Sequence, residues 1–261
     1  MKEFKGKISI LMPAYNEEDL IVRNIEETKK LFHELECDYE IVFIDDGSSD
    51  RTYQLAYDAF KDDDNVIVKR NRKNYGKGRA LKFGFKFTTG DVVAFLDADL
   101  DLHPKQLYTL FAAMRTENAD AVVGSKWHPS SRLVLPKRRV FISKVYYLIL
   151  WLLFGLPLRD TQTGIKLFKH EALEKVFPRV LCKRWAFDIE ILANVHRLGY
   201  KIAEAPIELE FRREVRWGRM KFDDLWYTGM DTLAIFYRMY IMRYYDTILK
   251  KKAEAVEDDG E

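Results

Sequence analysis

Short apolar runs that end in polar turns alternate with helix-forming segments over the first half of the chain. The apolar runs begin near residues 7, 39, 65, 92 and 119. Runs of this length between turn-forming residues are typical of buried strands, and strands that alternate with helices form mostly parallel sheets. The sequence therefore predicts an α/β fold, with helices on both faces of a mostly parallel sheet.

Three of the predicted strands end in polar motifs, which read PAYNEE (13–18), DDGSSD (45–50) and DAD (97–99). Strand ends of a parallel sheet share one edge, where open α/β sheets bind their ligands. Each motif alone is explained by ordinary turn chemistry. Three in succession favour a nucleotide site, with carboxylates for base and ribose donors and a metal ion for the pyrophosphate.

Composition and motif spacing exclude several other classes. The 43 basic and 41 acidic residues nearly cancel, so the charge indicates no nucleic-acid partner. The first strand is not followed by G-x-G-x-x-G, and the Gly76–Arg79 stretch lacks the P-loop spacing. Cys37 and Cys182 match no metal-binding spacing.

The order of six motifs carries a family resemblance. These motifs are PAYNEE, VFIDDGSSD, NYGKGRA, FLDADLDLHP, RDTQTGIKLF and WAFDIEIL. Over residues 7 to 221, the chain resembles family 2 glycosyltransferases of the GT-A fold, and its later motifs are similar to those of dolichyl-phosphate β-glucosyltransferases and mannose synthases. The resemblance implies transfer of glucose or mannose, with inversion, from UDP-glucose or GDP-mannose to a polyprenyl (dolichyl) phosphate. It also implies Mg²⁺ or Mn²⁺ as the cofactor.

The resemblance also implies roles for individual residues. The catalytic residues would be Asp97, Asp99 and Arg139. The nucleotide would be bound by Pro13, Tyr15, Asn16, Glu17, Ile44, Asp46 and Asp97. The metal would be held by Asp99 and Asp101. The sugar or acceptor would be contacted by Lys126, Asp160, Gln162, Asp188, Glu190, Arg213 and Lys221.

Some of these assignments leave alternatives open. Asp101 stands where mannose synthases often have Gln, so it either strengthens the metal site or is simply exposed. Lys126 stands where those relatives carry Arg, and Lys keeps the charge without the bidentate fork. Four residues either contact sugar hydroxyls or order the acceptor loop: Asp160, Gln162, Asp188 and Glu190. Asp188 fits a helix N-cap equally well. Asn16 is also a plausible N-cap for the first helix.

Apolar segments in the second half predict contact with a membrane surface. Val145–Leu156 has no charged residue, but a helix of this length spans only about 18 Å, short of a ~30 Å hydrocarbon core. It is either an interface helix or a core helix, and its basic and aromatic flanks favour the interface. We therefore expect peripheral attachment at the cytoplasmic face of the cell membrane, without a transmembrane span.

The predicted domain organisation has three parts. Residues 1–221 form the catalytic domain, which includes an interface helix at 140–158. An amphipathic C-terminal helix follows at 222–252, running from about Asp223 to Leu249, and residues 253–261 form a disordered acidic tail. Two other functions remain open at this point: a family 2 enzyme that extends a glycan acceptor, and a non-catalytic membrane-associated scaffold.

Overall fold

The computed structural model describes residues 6–34, 36–131, 137–184, 186–208 and 222–247; side chains are not described at 137–142 and 222–226. Within these residues, seven strands form one sheet. The strands are β1 (Lys7–Ala14), β2 (Asp38–Asp45), β3 (Val66–Arg70), β4 (Val92–Phe95), β5 (Ala121–Ser125), β6 (Lys166–Lys169) and β7 (Ile202–Pro206). Their order across the sheet is β3-β2-β1-β4-β6-β5-β7. Only β6 runs antiparallel to its neighbours, β4 and β5, so the predicted mostly parallel α/β sheet is confirmed.

Eight α-helices accompany the sheet in the described residues. They are α1 (Ile21–Glu34), α2 (Thr52–Phe60), α3 (Lys77–Gly84), α4 (Leu107–Thr116), α5 (Lys137–Phe154), α6 (His170–Val176), α7 (Phe187–Arg197) and α8 (Phe222–Phe236). Strand side chains alternate between two apolar cores, as the two-residue period of a strand requires. Ile10 and Phe43 join the core that α1 covers, whereas Leu11 and Val42 join the core that α3 and α7 cover.

A buried carboxylate fastens the edge of the sheet where β1 starts. Glu40, which is 4% exposed, accepts hydrogen bonds from the Ser9 hydroxyl (2.6 Å) and the Thr89 backbone N–H (2.5 Å). The Lys7 ammonium lies 2.7 Å from its other oxygen. Burial alone raises the pKa of Glu40, but these hydrogen bonds outweigh it and hold the pKa below the usual 4.5.

The C-terminal elements pack on α7 and α5 in a third apolar cluster. Leu150 and Phe154 of α5 contact Ile235, Met239 and other buried residues of this cluster. The predicted helix from Asp223 to Leu249 is shorter than expected, because α8 ends at Phe236 and continues as a π turn over Tyr237–Ile241. Arg243 then adopts a positive φ of 50°, which stops helical geometry before a last turn at 244–247. The predicted acidic tail lies outside the described residues.

Candidate active site

The three polar motifs lie at one edge of the sheet, as predicted. β1 pairs in parallel with both β2 and β4, and the three strands end at Ala14, Asp45 and Phe95. The segments that leave these ends therefore share the edge at which open α/β sheets bind ligands. We call this edge the carboxyl edge.

The first two motifs brace each other. The backbone N–H of Asn16 donates to the Ser48 hydroxyl, and the Asn16 side chain accepts from the Ser49 backbone N–H, both at 2.9 Å. The N–H of Glu17 donates to Thr52 Oγ1 at 2.8 Å. Asn16 has a φ of 56° and α1 begins five residues later, so its prediction as an N-cap was wrong. Its side chain instead holds the second turn in place.

The predicted nucleotide-binding residues differ in how far their side chains are exposed to solvent. Tyr15 is 45% exposed and Pro13 is partly exposed, whereas Glu17 is buried. Ile44 is 1% exposed and packs into the core against Gly84. Its side chain therefore belongs to the core, and its contact with the base stays a prediction.

Asp46 organises the 71–76 loop, which precedes α3. It is 3% exposed, and its carboxylate accepts from the Asn71 side chain (2.7 Å) and from the backbone N–H groups of Tyr75 (3.2 Å) and Gly76 (2.7 Å). Gly76 has a φ of 97°, a conformation that side chains oppose. The carboxylate of Asp46 thus fixes the loop that leads to Lys77.

Asp97 is held from two sides. Lys77 Nζ lies 2.5 Å from Asp97 Oδ1. Gly164 lies on the other side, so close that a Cβ atom there would be 2.0 Å from Asp97 Oδ2. Burial by itself lowers the pKa of Lys77, but the charges of Asp97 and Asp188 outweigh it and raise the pKa, so the lysine is a cation at neutral pH.

A cavity of about 150 Å³ opens beside Asp97. It is lined by Asp97, Asp99, Asp101, Leu102, Lys126, Gln162, Thr163 and Gly164. Asp99 Oδ1 accepts from the Asp101 backbone N–H at 3.3 Å, around a turn in which Leu100 has a φ of 49°. The structure thus brings the predicted metal residues and three of the predicted sugar or acceptor residues, counting Asp160 beneath Lys126, to one place.

The donor set of this cavity fits a divalent cation that is shared with a substrate. Within the described residues, no three His, Cys, Asp or Glu side chains converge as a metal cage. Mg²⁺ is usually bound by one or two carboxylates together with substrate phosphates, which does not require such a cage. Asp99 and Asp101 could supply those carboxylates.

Asp160 supports the part of the cavity wall that Lys126, Gln162 and Thr163 form. It is 6% exposed and accepts from the backbone N–H groups of Lys126 (3.0 Å) and Gln162 (3.1 Å) and from the Thr163 hydroxyl (2.7 Å). The Gln162 side-chain amide nitrogen is buried and has no hydrogen-bond partner within the described residues. A buried donor without an acceptor is costly, so this amide is a candidate to bind a ligand oxygen.

Asp188 lies beneath the cavity wall. Its carboxylate is 2.6 Å from Nζ of Lys166, a lysine that is 1% exposed and that also donates to the Thr163 carbonyl. The N-cap of α7 is Ala186, so the N-cap reading of Asp188 was wrong. Because Asp188 is 5% exposed and paired with Lys166, it supports the Gln162–Gly164 backbone.

Glu190 is not a lining residue of the cavity. It is fully buried, and both of its oxygens accept hydrogen bonds from protein groups. Of its two predicted roles, direct sugar contact does not agree with this placement. Arg213 and Lys221 lie outside the described residues, as does the side chain of Arg139, whose backbone is in α5.

Three residues of the site were not predicted. Lys77 lies in the NYGKGRA motif, which carried the resemblance but was given no role. Gly164 and Lys166 lie in RDTQTGIKLF, within four residues of Gln162. The one signal in the sequence that could have pointed to all three was their place inside the motifs. Their contacts with Asp97 and Asp188 join residues too far apart in sequence for motif spacing to predict.

Comparison with known proteins identifies the family. The family model "Glycosyl transferase family 2" matches residues 9–177, which is more than half of the chain. The chain therefore belongs to glycosyl transferase family 2, and the prediction from the motifs is confirmed.

Two curated relatives illustrate the sequence similarity. A dolichyl-phosphate beta-glucosyltransferase of Trichomonas vaginalis is 32% identical, over 89% of this chain and 74% of the relative. Glycosyltransferase AglD of Haloferax volcanii is 31% identical, over 78% of this chain but only 33% of that relative. The chain thus spans only a third of the length of AglD.

A solved structure supports the fold. Glucosyl-3-phosphoglycerate synthase from Mycobacterium tuberculosis, in complex with Mn²⁺ and UDP-glucose, superimposes with a TM-score of 0.63 at 23% identity. The match covers 89% of this chain and 78% of that chain. The predicted GT-A fold is therefore confirmed. None of the helices in the described part of the chain combines the length and apolar character that crossing a bilayer requires.

Proposed function

We propose that this protein transfers glucose from UDP-glucose to a polyprenyl phosphate, with a divalent cation and with inversion at the anomeric carbon. The observation that carries the proposal is the cavity at the carboxyl edge, where Asp97, Asp99 and Asp101 face Lys126 and Gln162. The relatives named for glucosyl transfer to dolichyl phosphate favour this donor sugar and acceptor. The structural relative that holds Mn²⁺ with UDP-glucose favours this donor and cofactor.

The cation would be held by Asp99 and Asp101. When bound, it neutralises the charge that develops on the departing diphosphate, as a Lewis acid. Lys77 is a second cation beside the same position, paired with Asp97. The buried amide of Gln162 offers a donor to a sugar hydroxyl or phosphate oxygen.

The acceptor needs little activation, because a phosphate monoester is already anionic at neutral pH. Its oxygen forms the new bond to the anomeric carbon while the bond from that carbon to the diphosphate breaks, and UDP leaves. Attack from the face opposite the diphosphate gives the β product from an α-linked donor. The contribution of the protein is to hold the two substrates in line and to stabilise the leaving group.

A membrane surface is the proposed location of the acceptor. Apolar side chains that are 42–67% exposed project from α5. Others project from α8, from the π turn and from Met242 just after it; we call the whole set the apolar patch. It comprises Val145, Leu148, Ile149, Trp151, Leu152, Tyr227, Met230, Leu233, Tyr237, Tyr240, Ile241 and Met242. The inner faces of the two helices pack together, and Tyr146 hydrogen-bonds Thr232 at 3.2 Å. Exposed basic residues such as Lys144 and Arg243 suit anionic headgroups.

One transfer assay tests the proposal. The protein is incubated with labelled UDP-glucose or GDP-mannose, polyprenyl phosphate and Mn²⁺ or Mg²⁺, with and without EDTA. We expect glucose label in the organic phase, its loss with EDTA, and its loss in Asp99→Ala. Asp64→Ala, which removes an exposed acid just before β3 at the opposite edge of the sheet, is the control and should keep full activity.

Other outcomes would contradict the proposal. Label from GDP-mannose alone would overturn the donor. Transfer to a soluble glycan without a lipid phosphate requirement would identify an enzyme that extends glycans. No turnover with any donor would support a scaffold.

A further inference from the structure

The carboxylate of Glu190 joins three parts of the chain. Its Oε2 accepts from the backbone N–H groups of Leu181 (2.7 Å) and Cys182 (2.6 Å), in the loop before α7. Its Oε1 accepts from Arg238 Nη2 at 3.0 Å and from the Tyr245 hydroxyl. Glu190 therefore ties the 181–184 loop to residues 237–247, which we call the C-terminal segment.

The same loop contacts the candidate donor site on its other side. The Lys183 carbonyl accepts from the Arg79 backbone N–H at 3.3 Å. It also lies so close to Gly76 that a Cβ atom there would be 2.6 Å from it. Just before the loop, the Val180 carbonyl accepts from Lys82 Nζ at 2.7 Å. The 181–184 loop thus packs on the start of α3, where Lys77 reaches Asp97.

The C-terminal segment holds the two partners of Glu190 in a defined geometry. Arg238 lies in the π turn, a rare geometry that is frequent at functional sites. Arg238 Nε also donates to the Tyr245 hydroxyl at 3.0 Å, so the two partners of Glu190 hold each other. Tyr237 and Ile241 of the same turn belong to the apolar patch.

We propose that Glu190 is a positioning residue, which transmits the placement of the C-terminal segment through the 181–184 loop to Gly76 and Lys77 and so sets the affinity for the nucleotide-sugar donor. This inference rests on the proposed function, because it takes the Lys77–Asp97 pair as part of the donor site. In this proposal Glu190 acts without contacting the sugar. Arg238 and Tyr245 hold the C-terminal segment on Glu190 and so contribute to the same positioning.

Arg238→Met provides the main test, because it removes the charge and keeps an unbranched apolar stem. We expect the KM for UDP-glucose to rise about tenfold, the size of one lost charge-assisted hydrogen bond, while kcat and the acceptor KM change less than about twofold. Amide hydrogen exchange should accelerate at residues 76–80 and 181–184. Arg238→Lys should restore most of the donor affinity.

Asp246→Asn is the matched control. Asp246 lies in the same C-terminal segment, but it pairs with Arg197 on α7, at 2.7 Å. The side chains of this pair are 29% and 42% exposed, and exposed ion pairs contribute little to stability, so the segment should stay in place on Glu190. The donor KM and the exchange at 76–80 should therefore stay within about twofold of the parent. If Arg238→Met does not fold, Tyr245→Phe removes one hydrogen bond to Glu190 and the acceptor of Arg238 Nε but keeps the Arg238–Glu190 pair, so it should give the same pattern at smaller size.

Two results would overturn the inference. One is a variant of Arg238 or Tyr245 with unchanged donor KM and unchanged exchange at 76–80. The other is an Asp246→Asn protein with the same defects as Arg238→Met, which would indicate general loosening. Amide exchange needs no turnover, so failure of the proposed function would appear separately, as an unaltered parent protein that transfers no sugar.

Discussion

Gly164 lies against the carboxylate of Asp97, so close that a Cβ atom at this position would be 2.0 Å from Asp97 Oδ2. We therefore expect Gly164→Ala to displace Asp97 and to disturb its pair with Lys77. Misplacement of a catalytic group by about 1 Å can cost about 100-fold in rate. The kcat/KM of sugar transfer should fall by about that factor, and circular dichroism should show that the fold is kept.

Gly229→Ala is the control for this substitution. Gly229 lies inside α8, and no described atom outside its own helix backbone lies within 4 Å of the added Cβ. Alanine favours a helix over glycine by up to about 1 kcal/mol, so this variant should be at least as stable as the parent and fully active. Full activity of Gly164→Ala would show that Asp97 is not required in its observed position.

Gln162→Met should separate function from stability. The buried amide nitrogen of Gln162 lacks a partner within the described residues, so its removal should leave the free energy of unfolding unchanged or raise it by about 1 kcal/mol. If this amide binds a substrate oxygen, kcat/KM should fall by about 10- to 100-fold. Urea unfolding and the transfer assay measure the two effects. Gln54→Met, at an exposed position on α2, should change neither, and a destabilised but fully active Gln162→Met would contradict the prediction.

Replacing two exposed residues of α5 should weaken binding to vesicles. Trp151 and Leu152 are 50% and 67% exposed, and each large apolar side chain gains about 1.5–3 kcal/mol when fully buried. The double variant Trp151→Ser/Leu152→Ser should therefore bind vesicles that contain anionic lipid at least about tenfold more weakly in a sedimentation assay. Transfer to a short, water-soluble polyprenyl phosphate should persist.

Tyr57→Ser removes an apolar side chain of 42% exposure from α2, outside the apolar patch, and serves as the control. It should bind vesicles as the parent does. Equal binding by the α5 double variant would remove the support for a membrane-facing patch.

Acid should lower the free energy of unfolding, partly because Glu40 becomes protonated. Its hydrogen bonds hold the pKa in the folded state below the 4.5 of an ordinary glutamate, so its stabilisation is complete above pH 4.5 and is lost as the pH falls through the folded value. Glu40→Gln should cost about 2 kcal/mol at pH 7, and the difference from the parent should shrink below pH 4.5. Urea unfolding at pH 7 and pH 3.5 measures this change.

The matched variant is Glu34→Gln, at an exposed position at the end of α1. Exposed charges contribute little to stability, so its unfolding free energy should follow the parent at both pH values. A Glu40→Gln protein whose deficit is the same at pH 3.5 as at pH 7 would contradict the role of the ionised carboxylate.

Local sequence patterns were sufficient to predict the framework of the fold. Apolar runs located the strands near Lys7, Tyr39 and Val92, because a buried strand needs little besides apolar side chains and turn residues at its ends. Because Asp97 and Asp99 come directly after one of these strands, their position at the carboxyl edge could be predicted as well. β6 was not predicted, because it has only four residues and carries a lysine at each end, of which Lys166 is buried against expectation.

The contacts that complete the site depend on distant partners. Gly164 meets Asp97 across 67 positions of sequence, and Glu190 meets Arg238 across 48. The sequence labelled Asn16 as a cap because helix caps and turn braces use the same side-chain chemistry.

The chain between β5 and β6 leaves and returns at almost the same point. β5 ends at Ser125 and β6 begins at Lys166, and Val123 pairs with Lys166 across the ladder. The intervening forty residues, α5 included, therefore form an insertion whose two ends lie side by side at the sheet. The hydrogen bond from the Lys126 N–H to Asp160 joins these two ends. Because closing a longer loop costs only slightly more, such an insert could be exchanged for one of another length without disturbing the strand pairing beneath it.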